Sequence, residues 1–400
     1  MNPEIRWCRR ESDRQACSAG ALCGVEGAER ALAFHRSIPG YSPTPLVRLE
    51  RLAKELGLAE LYVKDESYRF GLNAFKVLGV SYCIGRYLCR RLGIPPEEMD
   101  YNRLTGPEAK KQLGPVTFVT ATDGNHGRGI AWTAARMGQE SVVYLPRGTA
   151  RERLEHISAL GARVEVTPWS YDETVRYART QAAENGWILV QDTDWEGYRQ
   201  IPAWIMEGYT TMGREIVEQL AGARPTHIFL QAGVGSMAGA VAGFFADYYR
   251  EERPVITVVE PERADCIFRT AQAADGILHR AEGPLDTMMA GLACGEPCGL
   301  AWEVLQQCAG MYTAVPEWVA AKGMRMLGNP LPGDPRVISG ESGAVTAGLV
   351  TEVMERQELA PLCEELGLNE QSRVLCISTE GATDWENYRR VVWDGRYPAV

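Results

Sequence analysis

The chain has 400 residues, a net charge of −10 at pH 7, and 45% hydrophobic and 24% charged residues. This composition is typical of one large or two medium globular domains with a substantial core. The acidic balance argues against a surface that follows nucleic-acid phosphates. No stretch approaches the ~18 uninterrupted apolar residues of a membrane span, and no secretory signal is recognised, so we expect a cytoplasmic protein.

The eleven cysteines and five histidines show no metal-ligand spacing. The cysteines lack CxxC pairs, so we interpret them as free thiols. Cys266 and Cys294 flank a loop, and for this pair a disulfide remains open. The histidines lack the HExxH pattern, and no metal site is predicted.

The predicted elements alternate short β-rich runs with helices. The first 27 residues or so are predicted to be irregular, residues 95–114 to be a turn-rich insertion, and residues 263–296 to be loop-rich. Helices are predicted over 28–36, 46–56, 75–92, 127–137, 150–160, 171–185, 203–220, 236–249, 301–307, 318–327 and 342–356. Strands are predicted over 61–65, 116–120, 141–146, 163–166, 187–191, 226–232, 255–259 and 373–378. The alternation indicates βαβ units with parallel sheets, so the predicted fold class is α/β.

A glycine loop at 233–239 follows a predicted strand and opens a helix. Its small residues let backbone amides approach an anion, and a helix N-terminus adds positive potential. The loop also fits GxGxxA, the dinucleotide fingerprint, and Glu260 ends the next strand, where a ribose-binding acid is expected. From these residues alone, a dinucleotide site, a phosphate site for another cofactor and close helix–sheet packing remain open.

Lys76 and the turn at 122–127 are the other candidates for chemistry. Phe75 and the residues after Lys76 make its surroundings apolar, which favours the neutral, nucleophilic amine, although a lone lysine is most often solvated. The turn, Thr-Asp-Gly-Asn-His-Gly, ends a strand and opens a helix. One N-cap residue would suffice for that, so the whole run suits a backbone site for a carboxylate. Together, the two stretches suggest pyridoxal phosphate chemistry on an amino acid.

Four motifs resemble, in their order, the fold type II (β-family, tryptophan synthase β-like) pyridoxal phosphate enzymes. They are Phe75-Lys76, the Asp-Gly-Asn-His-Gly turn, the glycine loop and Ser378-Thr379-Glu380-Gly381. That family includes threonine and serine dehydratases, serine racemase and cysteine synthase. Longer strings, at 64–76, 122–129, 191–198, 289–297 and 338–345, resemble its members that act on 2,3-diaminopropionate. The likeness covers almost the whole chain from about Arg30, and the first 25 residues or so lie outside it.

The resemblance implies pyridoxal 5'-phosphate as the cofactor. Lys76 would bind it covalently, Phe75 would pack beside its ring, and Asn125 would hydrogen-bond its ring oxygen. Its phosphate would be bound by Gly233, Val234, Gly235, Ser236 and Met237. Thr379 would meet the pyridine nitrogen, and a neutral hydroxyl at this place does not enforce protonation of the ring.

The resemblance also implies that Lys76, Asp123 and Asp192 are catalytic. The hydroxy-amino-acid dehydratases typically have a small hydroxyl residue where this chain has Asp123, and a carboxylate suits a substrate with a second ammonium group. Two acids placed differently could deprotonate either enantiomer, with Lys76 as a further proton carrier. The substrate would contact Thr122, Asp123, Gly124, Asn125, His126 and Asp192. The implied reaction is α,β-elimination of D- and L-2,3-diaminopropionate to pyruvate and two molecules of ammonia.

Two alternative functions remain open. Within the family the alternative is a serine or threonine dehydratase or racemase, against which Asp123 argues. Outside it, an NAD-dependent dehydrogenase would rest on the glycine loop and Glu260. Asp194 is interpreted as a neutral surface residue, with an extra acid near the site as the alternative. Glu341 either lies near the pyridine side of the cofactor or complements the dipole of its helix.

The likeness also implies an organisation for the whole chain. Residues 1–77 and 191–400 would form a large cofactor-binding domain and residues 78–190 a small one, with the cofactor in the cleft between them. By the same likeness, we expect a homodimer with a small amino-acid substrate.

Overall fold

The computed structural model describes residues 4–11, 20–122, 124–149 and 151–398. The strands in this part of the chain are β1 (Arg6–Arg9), β2 (Leu46–Arg48), β3 (Glu60–Asp65), β4 (Thr117–Ala121), β5 (Glu140–Leu145), β6 (Arg163–Val166), β7 (Ile188–Leu189), β8 (His227–Gln231), β9 (Val255–Pro261), β10 (Met311–Val315) and β11 (Arg373–Ser378). The α-helices are α1 (Gly20–Cys23), α2 (Val25–Ser37), α3 (Glu50–Glu55), α4 (Val77–Leu92), α5 (Tyr101–Thr105), α6 (Pro107–Leu113), α7 (Asn125–Arg136), α8 (Arg151–Ser158), α9 (Tyr171–Asn185), α10 (Gln200–Leu220), α11 (Ser236–Tyr249), α12 (Cys266–Ala273), α13 (Gly299–Cys308), α14 (Glu317–Gly328), α15 (Glu341–Glu355), α16 (Ala360–Leu366) and α17 (Trp385–Val392). Short 3-10 turns lie at Glu66–Gly71, Pro96–Glu98, Arg250–Glu252, Ala290–Leu292 and Gln357–Leu359.

The chain divides into two compact units, and each contains one sheet. The first unit consists of Met1–Val25, Pro43–Ala74 and Met212–Val400, and the second of Glu26–Ser42 and Phe75–Thr211. The α/β fold class predicted from the sequence is confirmed. The assignment of 1–77 with 191–400 to a cofactor-binding domain and of 78–190 to a small domain stays a prediction.

The first unit contains a seven-stranded sheet in the order β1-β10-β9-β8-β11-β3-β2. The strands from β10 to β3 run parallel to one another, and β1 and β2 are antiparallel edges. Every residue of β8 and β10 is buried, as is usual for parallel strands covered by helices on both faces. The carboxyl ends of β8 and β11 therefore lie side by side at one edge of this sheet.

Two helices that cover part of that sheet, α14 and α15, pack against each other at very close range. A Cβ atom on Gly323 of α14 would lie 2.1 Å from the carbonyl oxygen of Ala344 on α15, and one on Gly348 would lie 2.0 Å from that of Val319. Glycine is required at both positions because the two backbones touch there. The apolar core of the unit surrounds this contact.

The second unit contains a four-stranded parallel sheet in the order β6-β5-β4-β7. Successive side chains of β5 alternate between its two faces, as the period of a strand requires. Val142 and Tyr144 pack with Ala178 of α9, whereas Val143 and Leu145 pack against α7 and α8. The sheet is thus covered on both faces, and the loop that leaves β4 opens directly into α7.

The structure differs from the sequence-based elements in several places. β1 lies in the predicted irregular start, and β2 occupies the start of the helix predicted over 46–56. Both are short edge strands whose partners are distant or antiparallel, so local periodicity does not reveal them. The 95–114 insertion forms α5 and α6, with Asp100 capping the first of them, and the loop-rich 263–296 region contains α12. β10 was also missed, because it is a five-residue apolar run between two helices.

Candidate functional site

Lys76 and Asp192 form a direct contact within the second unit. Lys76 lies at the start of α4, and its Nζ donates to Oδ2 of Asp192 at 2.5 Å. The side chains are 21% and 10% exposed, respectively, so water has little access to the pair. The two residues are 116 positions apart in the sequence, and the fold brings them together.

Asp192 is ionised because of its neighbours. Burial by itself would raise the pKa of its carboxyl group, but the charge of Lys76 and, to a lesser degree, His126 outweigh burial and lower the pKa to about 2. A carboxylate with so low a pKa stays charged throughout the physiological range. The pair therefore consists of an amine in contact with an acid that is ionised near neutral pH.

Aromatic rings border the amine of Lys76. Its Nζ is 5.4 Å from the ring centroid of Phe75, and that ring is 4.9 Å from the ring of Tyr209 on α10. Burial raises the pKa of the Tyr209 hydroxyl in spite of the nearby Lys76, so the hydroxyl stays neutral. Sequence reasoning missed Tyr209 because it lies within a long, largely apolar helix.

The predicted carboxylate-binding turn lies between β4 and α7. Oγ1 of Thr122 accepts from the Gly124 amide at 3.1 Å, and α7 begins at Asn125. Nε2 of His126 donates to the Val190 carbonyl at 2.9 Å, which ties the start of α7 to the chain just before Asp192. The first turn of α7 contains no acidic residue, so its amides present positive potential. Asp123 lies outside the described residues.

The glycine loop of the first unit connects β8 to α11 and is shaped for close backbone approach. A Cβ on Gly233 would lie 2.9 Å from Sγ of Cys294, and Gly235 has a φ of +95°, which disfavours other residues. The loop is held in place by the Cys298 amide, which donates to the Val234 carbonyl at 2.8 Å. α11 follows at once and has no acidic residue in its first turn. These are the features of a backbone that can bind an anion at a helix N-terminus.

Thr379 lies at the carboxyl end of β11, next to the end of β8. Its side chain is buried, and its Oγ1 is 3.0 Å from Nε2 of Gln231. The same Nε2 lies 3.0 Å from the carbonyl oxygen of Ser342 and 2.8 Å from that of Ile377, so its two hydrogens are shared among three acceptors. Gln231 was not singled out from the sequence, although a polar residue that ends a buried strand is a usable signal.

Glu341 is a second titratable group near this edge. Burial raises its pKa to about 7, assisted by the negative charge of Glu380 and opposed by the side-chain amide of Asn387, which donates to it. Glu341 is the first residue of α15, and its charge there would also favour the helix dipole. Both interpretations of this residue remain compatible with its position.

Glu260 has a structural use. Its Oε1 accepts from the Ile267 amide at 3.0 Å and its Oε2 from the Phe268 amide at 2.6 Å, so it caps the start of α12. The side chain is fully buried. Because both oxygens are bound to helix amides, Glu260 does not fill the ribose-binding role that a dinucleotide site would need.

The described part of the chain contains neither a disulfide nor a cluster of metal ligands. The ten cysteines of the described ranges are free thiols, including Cys266 and Cys294. Within those ranges, no group of three or more His, Cys, Asp or Glu side chains could hold a metal ion. No helix there is both long and apolar enough to cross a membrane.

The donor set fits pyridoxal phosphate. A primary amine at Lys76 can bond to an aldehyde, and the glycine loop has the steric and conformational features of a phosphate site. Thr379 offers a neutral hydroxyl for a ring nitrogen.

Comparisons with known proteins agree with this fit. A family profile described as "Pyridoxal-phosphate dependent enzyme" matches residues 38–379. The diaminopropionate ammonia-lyase of Escherichia coli K12 is 48% identical over 372 residues, which cover 92% of each chain. That of Salmonella typhimurium is 45% identical over 392 residues and 97% of each chain. A crystal structure of diaminopropionate ammonia lyase from Escherichia coli, in complex with an aminoacrylate-PLP azomethine reaction intermediate, superposes with a TM-score of 0.90 at 45% identity and covers 99% of this chain and 98% of the other.

Proposed function

The chain belongs to the pyridoxal-phosphate dependent enzyme family, and we propose that it catalyses the α,β-elimination of 2,3-diaminopropionate to pyruvate and two molecules of ammonia. The observation that carries the proposal is the part-buried contact of Lys76 with Asp192 at 2.5 Å. The substrate is supported by the diaminopropionate ammonia-lyases that share 45% to 48% of its residues. The aminoacrylate in the solved relative is what remains when an α,β-elimination removes the β-substituent.

Lys76 is the residue that would hold the cofactor, through its Nζ. When bound, pyridoxal phosphate draws electrons away from Cα of an attached amino acid and so makes the Cα–H bond acidic. The short contact between Nζ of Lys76 and Oδ2 of Asp192 lets a proton pass between an amine and an acid. Partial burial of the two side chains limits exchange of that proton with solvent.

Asp192 and Asp123 are the proposed acids. Asp192 is ionised and can accept a proton at Oδ2. The β-amino group must be protonated when the carbon–nitrogen bond breaks, and a carboxylate that pairs with it keeps it so. We assign this pairing to Asp123, whose residue type distinguishes the chain from hydroxy-amino-acid dehydratases. Two acids in different places would also let both enantiomers react.

The remaining assignments follow from the chemistry of each segment. The amides at the start of α7 are proposed to bind the substrate carboxylate, with Thr122, Gly124 and His126 shaping the turn and Asn125 reaching the ring oxygen of the cofactor. Phe75 is proposed to pack beside the ring and Thr379 to meet the ring nitrogen. The phosphate would bind to the loop of Gly233, Val234, Gly235, Ser236 and Met237.

One experiment tests this function. Purified protein loaded with pyridoxal phosphate should be yellow, and borohydride reduction should leave a pyridoxyl mass on the peptide that contains Lys76. Pyruvate release should then be faster from D- and L-2,3-diaminopropionate than from D- and L-serine. A colourless protein that takes up no cofactor, or a clear preference for serine, would refute the proposal.

We also propose a homodimer in the cytoplasm. The free thiols of the described cysteines suit a reducing compartment. Light scattering coupled to gel filtration would measure the mass in solution, and a monomeric mass at micromolar concentration would contradict the dimer.

A further inference from the structure

The side chain of Gln231 makes three contacts through one atom. Its Nε2 lies 3.0 Å from the carbonyl oxygen of Ser342, 2.8 Å from that of Ile377 and 3.0 Å from Oγ1 of Thr379. The residue is 1% exposed and ends β8. Its amide therefore lies beside Thr379 at the carboxyl ends of two adjacent parallel strands, where ligands bind in open α/β sheets.

The partners determine which way this amide faces. Backbone carbonyls only accept hydrogen bonds, so the group that faces Ser342 and Ile377 must be the donating NH2 and not the oxygen. In the opposite orientation, Oε1 would face two carbonyl oxygens. Oε1 of Gln231 itself finds no donor among the described residues, which is unfavourable for a buried oxygen. An apolar residue would avoid that cost, but it would not supply N–H groups to the two carbonyls.

This orientation determines the direction of the Thr379 hydroxyl. An amide nitrogen has no lone pair to offer, so Thr379 cannot donate to Nε2 and its Oγ1 can only accept there. Within the described ranges, no other hydrogen-bond partner lies close to that hydroxyl. Its own hydrogen therefore points to an acceptor that the protein does not supply.

We propose that Gln231 is a positioning residue, which occupies Oγ1 of Thr379 as an acceptor and so directs the Thr379 hydrogen to the unprotonated ring nitrogen of the cofactor. The inference rests on the proposed function, since it needs pyridoxal phosphate to bind at Thr379. A ring nitrogen that accepts a hydrogen bond from a neutral hydroxyl stays uncharged. Gln231 would thereby influence how strongly the cofactor ring withdraws electrons, without contacting the cofactor itself.

The test measures the protonation and hydrogen bonding of the ring nitrogen directly, through its 15N chemical shift. The protein is loaded with 15N-labelled pyridoxal phosphate, and the 15N shift and the cofactor dissociation constant are measured for wild type, Gln231→Met, Thr379→Val and the double variant. We expect Gln231→Met to move the shift toward that of Thr379→Val and to weaken cofactor binding by about 3- to 10-fold, as the loss of one hydrogen bond predicts. In the Thr379→Val background, Gln231→Met should have no further effect on the shift.

Two further variants separate positioning from folding. Thr379→Ser keeps the hydroxyl, and in that background Gln231→Met should again move the shift. Gln231→Asn keeps a buried amide but withdraws it by one methylene, so it should resemble Gln231→Met even if the latter folds poorly. An unchanged shift in both Gln231 variants, or an effect that persists in Thr379→Val, would overturn the inference. Failure of all variants and wild type to bind the labelled cofactor would instead overturn the proposed function.

Discussion

At the scale of single residues, the contact of Lys76 with Asp192 determines the charge state of the Asp192 carboxyl group in the second unit. Asp192 is buried, and a buried carboxylate is stable only when a cation compensates for its lost hydration. Lys76 supplies that charge at 2.5 Å. Any change that neutralises one partner therefore alters the proton affinity of the other.

Asp192→Asn should abolish most of the turnover while leaving cofactor binding intact. Loss of a general acid or base typically lowers kcat by about 10²- to 10⁴-fold. Pyruvate release at saturating substrate measures the effect, and absorbance of the bound cofactor checks the loading.

Asp194→Asn is the matched control for that variant. Asp194 is two positions away. Its side chain is only 6% exposed, so the prediction of a surface residue is wrong, and its carboxylate pairs with Arg199 at 3.4 Å. We expect its turnover to stay within about twofold of wild type, as for substitutions away from the chemistry. Equal losses in both variants would show that general damage to this segment, and not the acid of Asp192, causes the effect.

The low pKa of Asp192 also predicts a pH dependence of stability. A carboxyl group whose pKa is lower in the folded than in the unfolded state stabilises the fold fully above the unfolded pKa, and this contribution is lost as the pH falls through the folded value. With a folded pKa of about 2 and an ordinary value of 3.8, the window lies in acid. The stability advantage of wild type over Asp192→Asn should shrink by about 1 kcal/mol between about pH 6 and about pH 3. Urea unfolding of cofactor-free protein measures it, and an advantage that grows toward low pH would contradict the assignment.

At the scale of elements, a buried ion cluster joins β3, the turn that follows it and α10. Glu215 of α10 accepts from Lys64 at 2.7 Å and from Arg69 at 2.7 Å, and Arg69 also pairs with Glu66. Burial raises the pKa of Glu215, but Arg69 and Lys64 outweigh it and lower the pKa to about 2. The charges of two cations and two anions thus balance in the protein interior. The cluster anchors the turn after β3, which leads to Lys76.

Glu215→Gln should destabilise the first unit strongly. The substitution keeps the shape but leaves two buried cations with a single anion, and removal of one partner from a buried pair costs about 3–5 kcal/mol. Urea unfolding followed by circular dichroism measures the change.

Glu218→Gln is the control on the same helix. Glu218 is partly exposed and pairs with Arg214 one turn away, an arrangement worth about 0.3–0.5 kcal/mol. If the two variants lost similar stability, the buried cluster would not be the source of the effect.

At the scale of the whole molecule, binding of the cofactor should stabilise the fold by mass action. A ligand at about 100 times its dissociation constant adds about 2.7 kcal/mol when it binds the folded state alone. We therefore expect the Tm to rise with the concentration of free pyridoxal phosphate and to fall when the cofactor is removed. Pyridoxal, which lacks the phosphate, should stabilise far less at the same concentration, because the Gly233–Met237 loop would have no anion to bind. Equal shifts from both compounds would contradict the role of that loop.

Much of the fold was accessible from the sequence because its elements are locally encoded. Helices α9 and α11 and strand β11 have the predicted bounds, since apolar periodicity and terminal glycines mark them. The short edge strands β1 and β2 were missed, because their pairing depends on partners that local periodicity does not show. The same division applies to the candidate site, where glycine-rich and Asn-rich strings stand out but Gln231 and Tyr209 do not.

By itself, the sequence determined the fold class, the family and the cofactor chemistry, because these depend on short strings of residue types in a set order. Tertiary structure decided which distant side chains meet. Lys76 reaches Asp192 across 116 positions in the second unit. Gln231 reaches Thr379 across 148 positions in the first unit, because the parallel strands β8 and β11 end side by side there. The tertiary structure also turned Glu260 from a candidate ribose ligand into a helix cap, since burial beside the amides of α12 occupies both of its oxygens.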